Sequence, residues 1–382
     1  MLETATPNGY TFFVSNLVLH EFHESLGAQF ATLGGAEIVS HYGSSSAEHK
    51  VLSRCVGVLD LSFRGRLCLA GSDRARFLHG QVTNDVKGLA MGQGCYAALI
   101  TAKGKMQSDL NIFCLENELL LDFEPGLAAT VSQRLEKFII ADDVQIIDAS
   151  PHYGLLSVQG LHAKDVIRSI GIFQDLPDKT LTFVGLNDPV LGLIYLMNLP
   201  RFGASPGFDL FVPNPALRAM ADKLVAASKG QGGCLCGFEA FEMSRIEAGI
   251  PRFGADMDET NIPLEAGLET NAISFNKGCY IGQEVISRIR TYGQVAKALR
   301  GLRIDENTRQ LPTKGDKLFK DGKEVGYITS AAASTSLKAT VALGYVRKEV
   351  NQVGTELVVH SAGGDFPARI VELPFGPTLA DS

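Results

Sequence analysis

The order of strand and helix patterns constrains the fold of this 382-residue chain more than any other feature. Residues 66–148 and 155–227 pass through similar series of elements, and neither stretch alternates strand and helix regularly. A doubly wound parallel sheet needs a crossover helix between neighbouring strands, so this order points to two successive α+β lobes of mixed, largely antiparallel sheet. In the first lobe, strands are expected at 66–70, 96–100, 109–114, 119–123 and 144–148, with a short helix at 73–79 capped by Ser72. Pro125 and Gly126 open a second helix, in which Leu127, Val131, Leu135 and Phe138 are spaced for one buried face. In the second lobe, strands are expected at 155–158, 190–197 and 208–212, and helices at 161–170 and 214–227.

Residues 1–50 form a lead-in with one expected helix, at 16–30. A helical pattern over 236–247 ends at Gly249 before Pro251, and a loop-rich stretch follows over 252–278. Beyond Gly301, strands at 323–330, 340–346, 356–360 and 366–371 carry Gly and Pro punctuation, the pattern of a small antiparallel barrel or sandwich. The expected division is therefore 1–150, 151–240, 241–298 and 299–382.

Composition narrows the function. The chain has 35 basic and 42 acidic residues, a net charge of −7, which argues against gross non-specific nucleic-acid binding. The most apolar stretch, 189–199, is far short of the ~18 residues a membrane helix needs, so no membrane partner is expected. Residues 1–9 lack the basic and apolar regions of a secretory signal. Seven scattered cysteines, at 55, 68, 95, 114, 234, 236 and 279, read as reduced thiols and place the protein in the cytoplasm. Zinc-type pairings are absent from the sequence, so metal ligands are not assigned.

Three stretches can carry chemistry. In Lys277-Gly-Cys279-Tyr-Ile-Gly282-Gln-Glu284 a single thiol sits in a glycine-rich segment just before a helical pattern that ends near Gly293. A helix N-terminus and Lys277 both favour the thiolate of Cys279; the alternative is a buried, inert cysteine. Between residues 277 and 303 there are six basic residues and one acid, suited to an anionic ligand or RNA phosphate, or else a solvated helix face. In Ser244-Arg-Ile-Glu-Ala-Gly-Ile-Pro251, Arg245 can clamp a carboxylate and Glu247 can pair with a heterocycle amine, unless the two serve an internal ion pair. Cys234-Leu-Cys236 puts two thiols on one segment, with no further ligands to make a metal site.

Residues 277–284 resemble the KGC-Y-x-GQE signature of the YgfZ-type folate-binding proteins, relatives of the glycine-cleavage T-protein and of mitochondrial iron–sulfur cluster assembly factors. His49 and residues 57–62 resemble the T-protein's opening block, and residues 80–85, 245–249 and 263–267 its middle. Residues 326–330 and 342–345 with Pro374 and Phe375 resemble its C-terminal barrel. The resemblance implies an α+β, GcvT-like three-domain cloverleaf, with two ferredoxin-like lobes, a small C-terminal antiparallel β-barrel and a channel that admits tetrahydrofolate. It implies Cys279 as the functional thiol, and Arg245, Glu247, Ser108, Asp109, Lys277 and Gln283 as folate-binding residues. Ser108 stands where the T-protein has the first acid of a pair, and Ser205 near its folate-contacting glutamate. A serine cannot hold charge against a developing iminium or steer a proton as an aspartate does.

The reading these points favour is a folate-binding accessory protein that supports iron–sulfur cluster assembly or repair. Its partners would be client or assembly proteins, with an indirect link to tRNA modification. The rival is a tetrahydrofolate-dependent aminomethyltransferase. A third reading, an RNA-binding module, is weakened by the acidic remainder of the chain and the lack of interleaved aromatics.

Overall fold

The computed structural model describes residues 3–5, 11–13, 15–203, 205–304 and 310–376, so most of the segment read above for a secretory signal lies outside the described residues. The chain divides into two units: 1–97 with 108–241, and 98–107 with 242–382.

In chain order the elements up to residue 60 are β1 (Glu3–Ala5), β2 (Thr11–Phe13), α1 (His20–Ser25), β3 (Gln29–Leu33), β4 (Ala36–His41), α2 (Ser45–Arg54) and β5 (Gly57–Asp60). Then come β6 (Gly65–Ala70), α3 (Arg74–Gln81), β7 (Gly94–Ile100), β8 (Met106–Cys114), β9 (Leu119–Phe123), α4 (Ala128–Glu136) and β10 (Gln145–Asp148). The second half of the first unit holds β11 (Tyr153–Gln159), α5 (Ala163–Ser169), β12 (Phe183–Asp188), β13 (Gly192–Asn198), β14 (Gly207–Pro213), α6 (Asn214–Gly230) and β15 (Cys234–Leu235), and α7 (Phe238–Glu247) begins there.

The helix expected at 16–30 is only the short α1. Gly27 takes a left-handed φ of 81° straight after it, and β3 pairs with β4 in an antiparallel hairpin. Ser72 does not cap α3; its backbone N–H and hydroxyl both donate to Asp143 Oδ2, at 2.9 and 2.8 Å. The strand at 183–188 has a weak local pattern, with Gly185 inside it and Asn187 and Asp188 at its end, and it lies at the edge of its sheet.

Two sheets form, ordered β10-β6-β9-β8-β7 and β12-β13-β14-β11-β5-β15. Their inner faces meet: Cys68, Phe113 and Leu120 of the first pack with Leu59, Leu155, Met197 and Phe211 of the second. The outer face of the second sheet, with Leu156, Val158, Leu196 and Leu210, is covered by Val166 and Ile167 of α5 and by Leu217, Met220 and Leu224 of α6. Helix α4 packs on β6 and β10 and buries Val131 and Leu135, two of the four residues its periodicity predicts for the core; Phe138 is exposed. Each such aliphatic side chain taken fully from water contributes about 1.5–3 kcal/mol.

The second unit holds α8 (Glu269–Ala272), α9 (Gln283–Tyr292), β16 (Lys297–Ile304), β17 (Lys317–Lys320), β18 (Lys323–Ser334), β19 (Ala339–Arg347), β20 (Glu356–Ser361) and β21 (Gly364–Val371). The six strands close in the order β16-β19-β18-β17-β20-β21, the pairing of β16 with β21 completing the barrel. Leu302, Leu318, Ile328, Val346, Val359 and Ile370 fill it. The α+β content and closed antiparallel barrel are those the sequence implied.

Candidate functional site

Strand pairing in the first unit creates one polar face inside an otherwise apolar interior. Arg66 on β6 lies opposite Asp122 on β9, which lies opposite Asn111 on β8. Paired residues in antiparallel strands share a face, and residues two positions along continue it, which adds Arg64, Glu124 and Asp109. This face is the one turned toward the second sheet, since Cys68, Leu120 and Phe113 continue it at its apolar end.

The charges on that face are mutually satisfied. Asp122, fully buried, accepts Arg64 Nε at 2.7 Å, Asn111 Nδ2 at 3.0 Å and Arg201 Nη2 at 3.2 Å. Burial alone would raise its pKa; the two guanidinium groups outweigh that and hold it at about 2. Arg64 also donates to Glu124. Arg201 reaches the second sheet, where Nε and Nη2 donate to Asp209 Oδ2 at 3.1 and 2.5 Å. Ser157 donates to Asp209 Oδ1 at 2.6 Å, and Gln159 Nε2 donates to Ser157 Oγ at 2.9 Å. Ion pairs this deep compensate their desolvation only when the remaining donors and acceptors are also filled.

Two groups on the face stand apart from this satisfaction. Asp109 accepts the Tyr96 hydroxyl on Oδ2 at 2.7 Å, while its Oδ1 is buried without a partner. Burial and the neighbouring Glu124 carboxylate raise Asp109 to about 6, and the Tyr96 bond and Arg64 only partly offset them. Arg66, 1% exposed, donates from Nη2 to the Ser62 and Ser150 carbonyls at 3.0 and 3.4 Å, but its Nε and Nη1 have no partner. Burial lowers its pKa to about 10. Asp109 thus keeps an unfilled acceptor and Arg66 unfilled guanidinium donors on one buried face, where most polar groups are paired.

Ser108 is not on this face. It is fully buried on the opposite side of β8, where its hydroxyl donates to the Asp109 carbonyl at 3.0 Å. The serine at the place of the T-protein's first acid therefore leaves the polar face intact, because strand parity assigns that face to Asp109.

The remaining sequence candidates lie in the second unit. Arg245, 1% exposed, uses all five donors: Nε and Nη2 on Glu242, Nη1 on Asp256 and the Ile250 carbonyl, and Nη2 on Ser330 Oγ. It retains no donor for a ligand carboxylate and acts as an internal clamp on the end of α7. Burial would lower its pKa, but Asp256 and Glu242 raise it beyond the ordinary arginine range. Glu247 accepts Ser336 Oγ at 3.0 Å. Lys277 is nearly buried, with its ammonium 4.8 Å above the Tyr280 ring. Cys279 is exposed, unlike a packed structural thiol, and lies three residues before Gly282, the N-cap of α9; Gln283 opens that helix. Gly282 has φ 84°, and a Cβ there would meet the Thr101 carbonyl oxygen at 2.5 Å.

Four of the six basic residues of the 277–303 stretch have partners within the protein. Arg290 lies 3.7 Å over the Phe275 ring, and Lys297 donates to Tyr327 Oη at 2.8 Å. Arg300 and Arg303 donate to the Asn351 and Leu337 carbonyls at 2.8 and 3.2 Å. Tyr96, Arg64, Arg66, Asp122, Arg201 and Asp209 escaped the sequence reading. The available signal was charge set within apolar runs, as in Leu119-Leu-Leu-Asp122-Phe.

Comparison with known proteins adds independent findings. Residues 19–277 match the GCVT N-terminal domain, and residues 297–376 the glycine cleavage T-protein C-terminal barrel domain. A Symbiobacterium thermophilum protein named aminomethyltransferase is 30% identical over 94% of this chain and 96% of its own length. An aminomethyltransferase of Halalkalibacterium halodurans is 28% identical with the same coverage. The crystal structure of glycine cleavage system aminomethyltransferase T from Bartonella henselae superposes with a TM-score of 0.85 at 26% identity, covering 95% of this chain and 98% of that one. These relatives overturn the reading as an iron–sulfur accessory protein. Full-length relatives carry the name of a transferase, and neither iron–sulfur clients nor a link to tRNA modification finds support among them. In the described residues no helix is long and apolar enough to cross a membrane.

Proposed function

Because the chain belongs to the glycine-cleavage T-protein family, we propose that it is a tetrahydrofolate-dependent aminomethyltransferase whose acid–base residue is Asp109. Aminomethyltransferases of this family use tetrahydrofolate, which supplies the amine that accepts the one-carbon unit. Within the family, we group the chain with the YgfZ-type folate-binding proteins on its Lys277–Glu284 run. Its seven free cysteines favour the cytoplasm as its compartment.

The single observation that carries the proposal is the pair of unfilled groups on the buried polar face. A pterin ring presents amine N–H donors and a carbonyl acceptor; Asp109 Oδ1 suits the first and Arg66 Nε and Nη1 the second. An acceptor amine must lose a proton as it gains a carbon. A carboxyl with a pKa of about 6 is mostly ionised at neutral pH yet basic enough to take that proton. The Tyr96 hydroxyl fixes the carboxylate through Oδ2 and leaves Oδ1 for the transfer. Arg64 and Arg201 keep the neighbouring Asp122 ionised, so it does not compete for the proton.

The test measures tetrahydrofolate binding by calorimetry and aminomethyl transfer with the glycine-cleavage partners. Turnover in the wild type, lost in Asp109→Asn with folate binding kept, is the expected result. Folate binding without any turnover in the wild type would sink the transferase assignment.

A further inference from the structure

Outside this site, the thiols of Cys234-Leu-Cys236 have no role in the function proposed above. Cys234 lies in β15, which pairs in parallel with β5 through Cys234 and Gly57, and Cys236 follows directly. The alternating side chains of an extended segment put both thiols on the same side, with Sγ···Sγ at 3.7 Å. Cys234 is half-buried, and Cys236 is buried. Cys236 Sγ also points at the Glu48 carbonyl at 3.7 Å. It touches the space a Cβ at Gly57 would fill, at 2.7 Å, so glycine there lets the second thiol lie beside the first.

We propose that Cys234 and Cys236 are a redox-active dithiol that a hydroperoxide oxidises to an intrachain disulfide, a modification site separate from the transferase chemistry. The sulfur of Cys234, the less buried of the two, attacks the O–O bond of the hydroperoxide. That bond breaks, the sulfur gains an oxygen as a sulfenic acid, and the leaving alkoxide or hydroxide takes a proton. The Cys236 sulfur then attacks Cys234, the S–O bond breaks, and water leaves with the Cys236 proton. Each thiol gives one electron, and the hydroperoxide is reduced to an alcohol or water. The contact between the sulfurs supports this order: the hydrogen bond from the Cys236 thiol lowers the pKa of Cys234, and the same bond and burial raise that of Cys236. The attacking and resolving roles therefore fall to different residues. Closing the bond needs the sulfurs to approach from 3.7 Å to the ~2 Å of a disulfide, while Gly232 and Gly233 immediately upstream supply backbone freedom.

The test treats the full-length protein with one equivalent of hydrogen peroxide, blocks remaining thiols with N-ethylmaleimide, and maps peptides by mass spectrometry. The expected result is that the peptide holding residues 234 and 236 loses the mass of two hydrogens and takes no label, while Cys55 and Cys279 are labelled. Reductant should restore labelling. Cys236→Ser should stop at a sulfenic acid on Cys234 that dimedone traps; Cys234→Ser should yield none at position 236. Full labelling of both cysteines after peroxide, or oxidation of Cys279 alone, would overturn the proposal. The wild-type measurement decides it even where a variant fails to fold.

Discussion

At the scale of the residue, the decisive contrast is between two neighbours on one strand. Ser108 and Asp109 are adjacent in sequence, but only Asp109 shares a face with Asp122 and Tyr96. Asp109→Asn should lower kcat ~10²–10⁴-fold and abolish a rising limb in the pH–rate profile with a midpoint near 6. Ser108→Ala removes one local hydroxyl bond and should cost no more than about 0.5–1.5 kcal/mol in urea unfolding, with turnover unchanged. The reverse pattern, an inactive Ser108→Ala beside an active Asp109→Asn, would return the acid–base role to position 108. Asp122→Asn should be costlier to the fold, because it leaves Arg64 and Arg201 buried with less countercharge; breaking a buried pair costs about 3–5 kcal/mol.

At the scale of the element, Arg245 and Gly282 fix two helix ends. The Arg245 guanidinium ties the last turn of α7 to Asp256 and to Ser330 of β18. Arg245→Lys keeps the charge but supplies three donors in place of five, so it should recover only part of the stability that Arg245→Ala loses. Thermal unfolding of the two variants measures that difference, and equal losses would show that charge, not the fork of donors, is what α7 needs. Gly282 starts α9 in a left-handed conformation with no room for a Cβ. Gly282→Ala should cost at least the ~1–3 kcal/mol typical of a non-glycine residue in a strained backbone region. Chemical denaturation checks it, and an alanine variant of wild-type stability would show that the turn relaxes.

For the whole molecule, the two acids of the polar face pull stability in opposite directions with pH. Asp109, whose folded pKa is raised, favours the fold fully below the ordinary aspartate value of ~3.9; that contribution fades as pH rises through about 6. Asp122, whose folded pKa is depressed, stabilises the fold above the ordinary value, and this is lost as pH falls toward about 2. The face is thus most stable near pH ~4 and loses stability as pH rises from there through about 6, where Asp109 ionises. Calorimetric melting from pH 4 to 8 should show Asp109→Asn gaining on the wild type as pH rises. A constant difference across that range would mean Asp109 titrates as an ordinary carboxylate.

Much of the architecture was legible in the sequence, since it follows from local pattern. Period-two alternation and glycine and proline punctuation marked the strands of the C-terminal barrel, and the absence of regular strand–helix alternation excluded a doubly wound sheet. The signature around Cys279 and the blocks near it pointed to the right superfamily. The site was not legible in the same way. Motif spacing drew attention to Arg245, whose five donors are all used inside the protein, and passed over Arg66 and Tyr96, which lie within ordinary strands. Which face of a strand turns inward, and which buried charge finds a partner, depends on residues far apart in sequence, as Asp122 and Arg201 are at 79 residues. Desolvation and partner count decide whether a buried group is structural or reactive, and both exist only once the sheets have closed on each other.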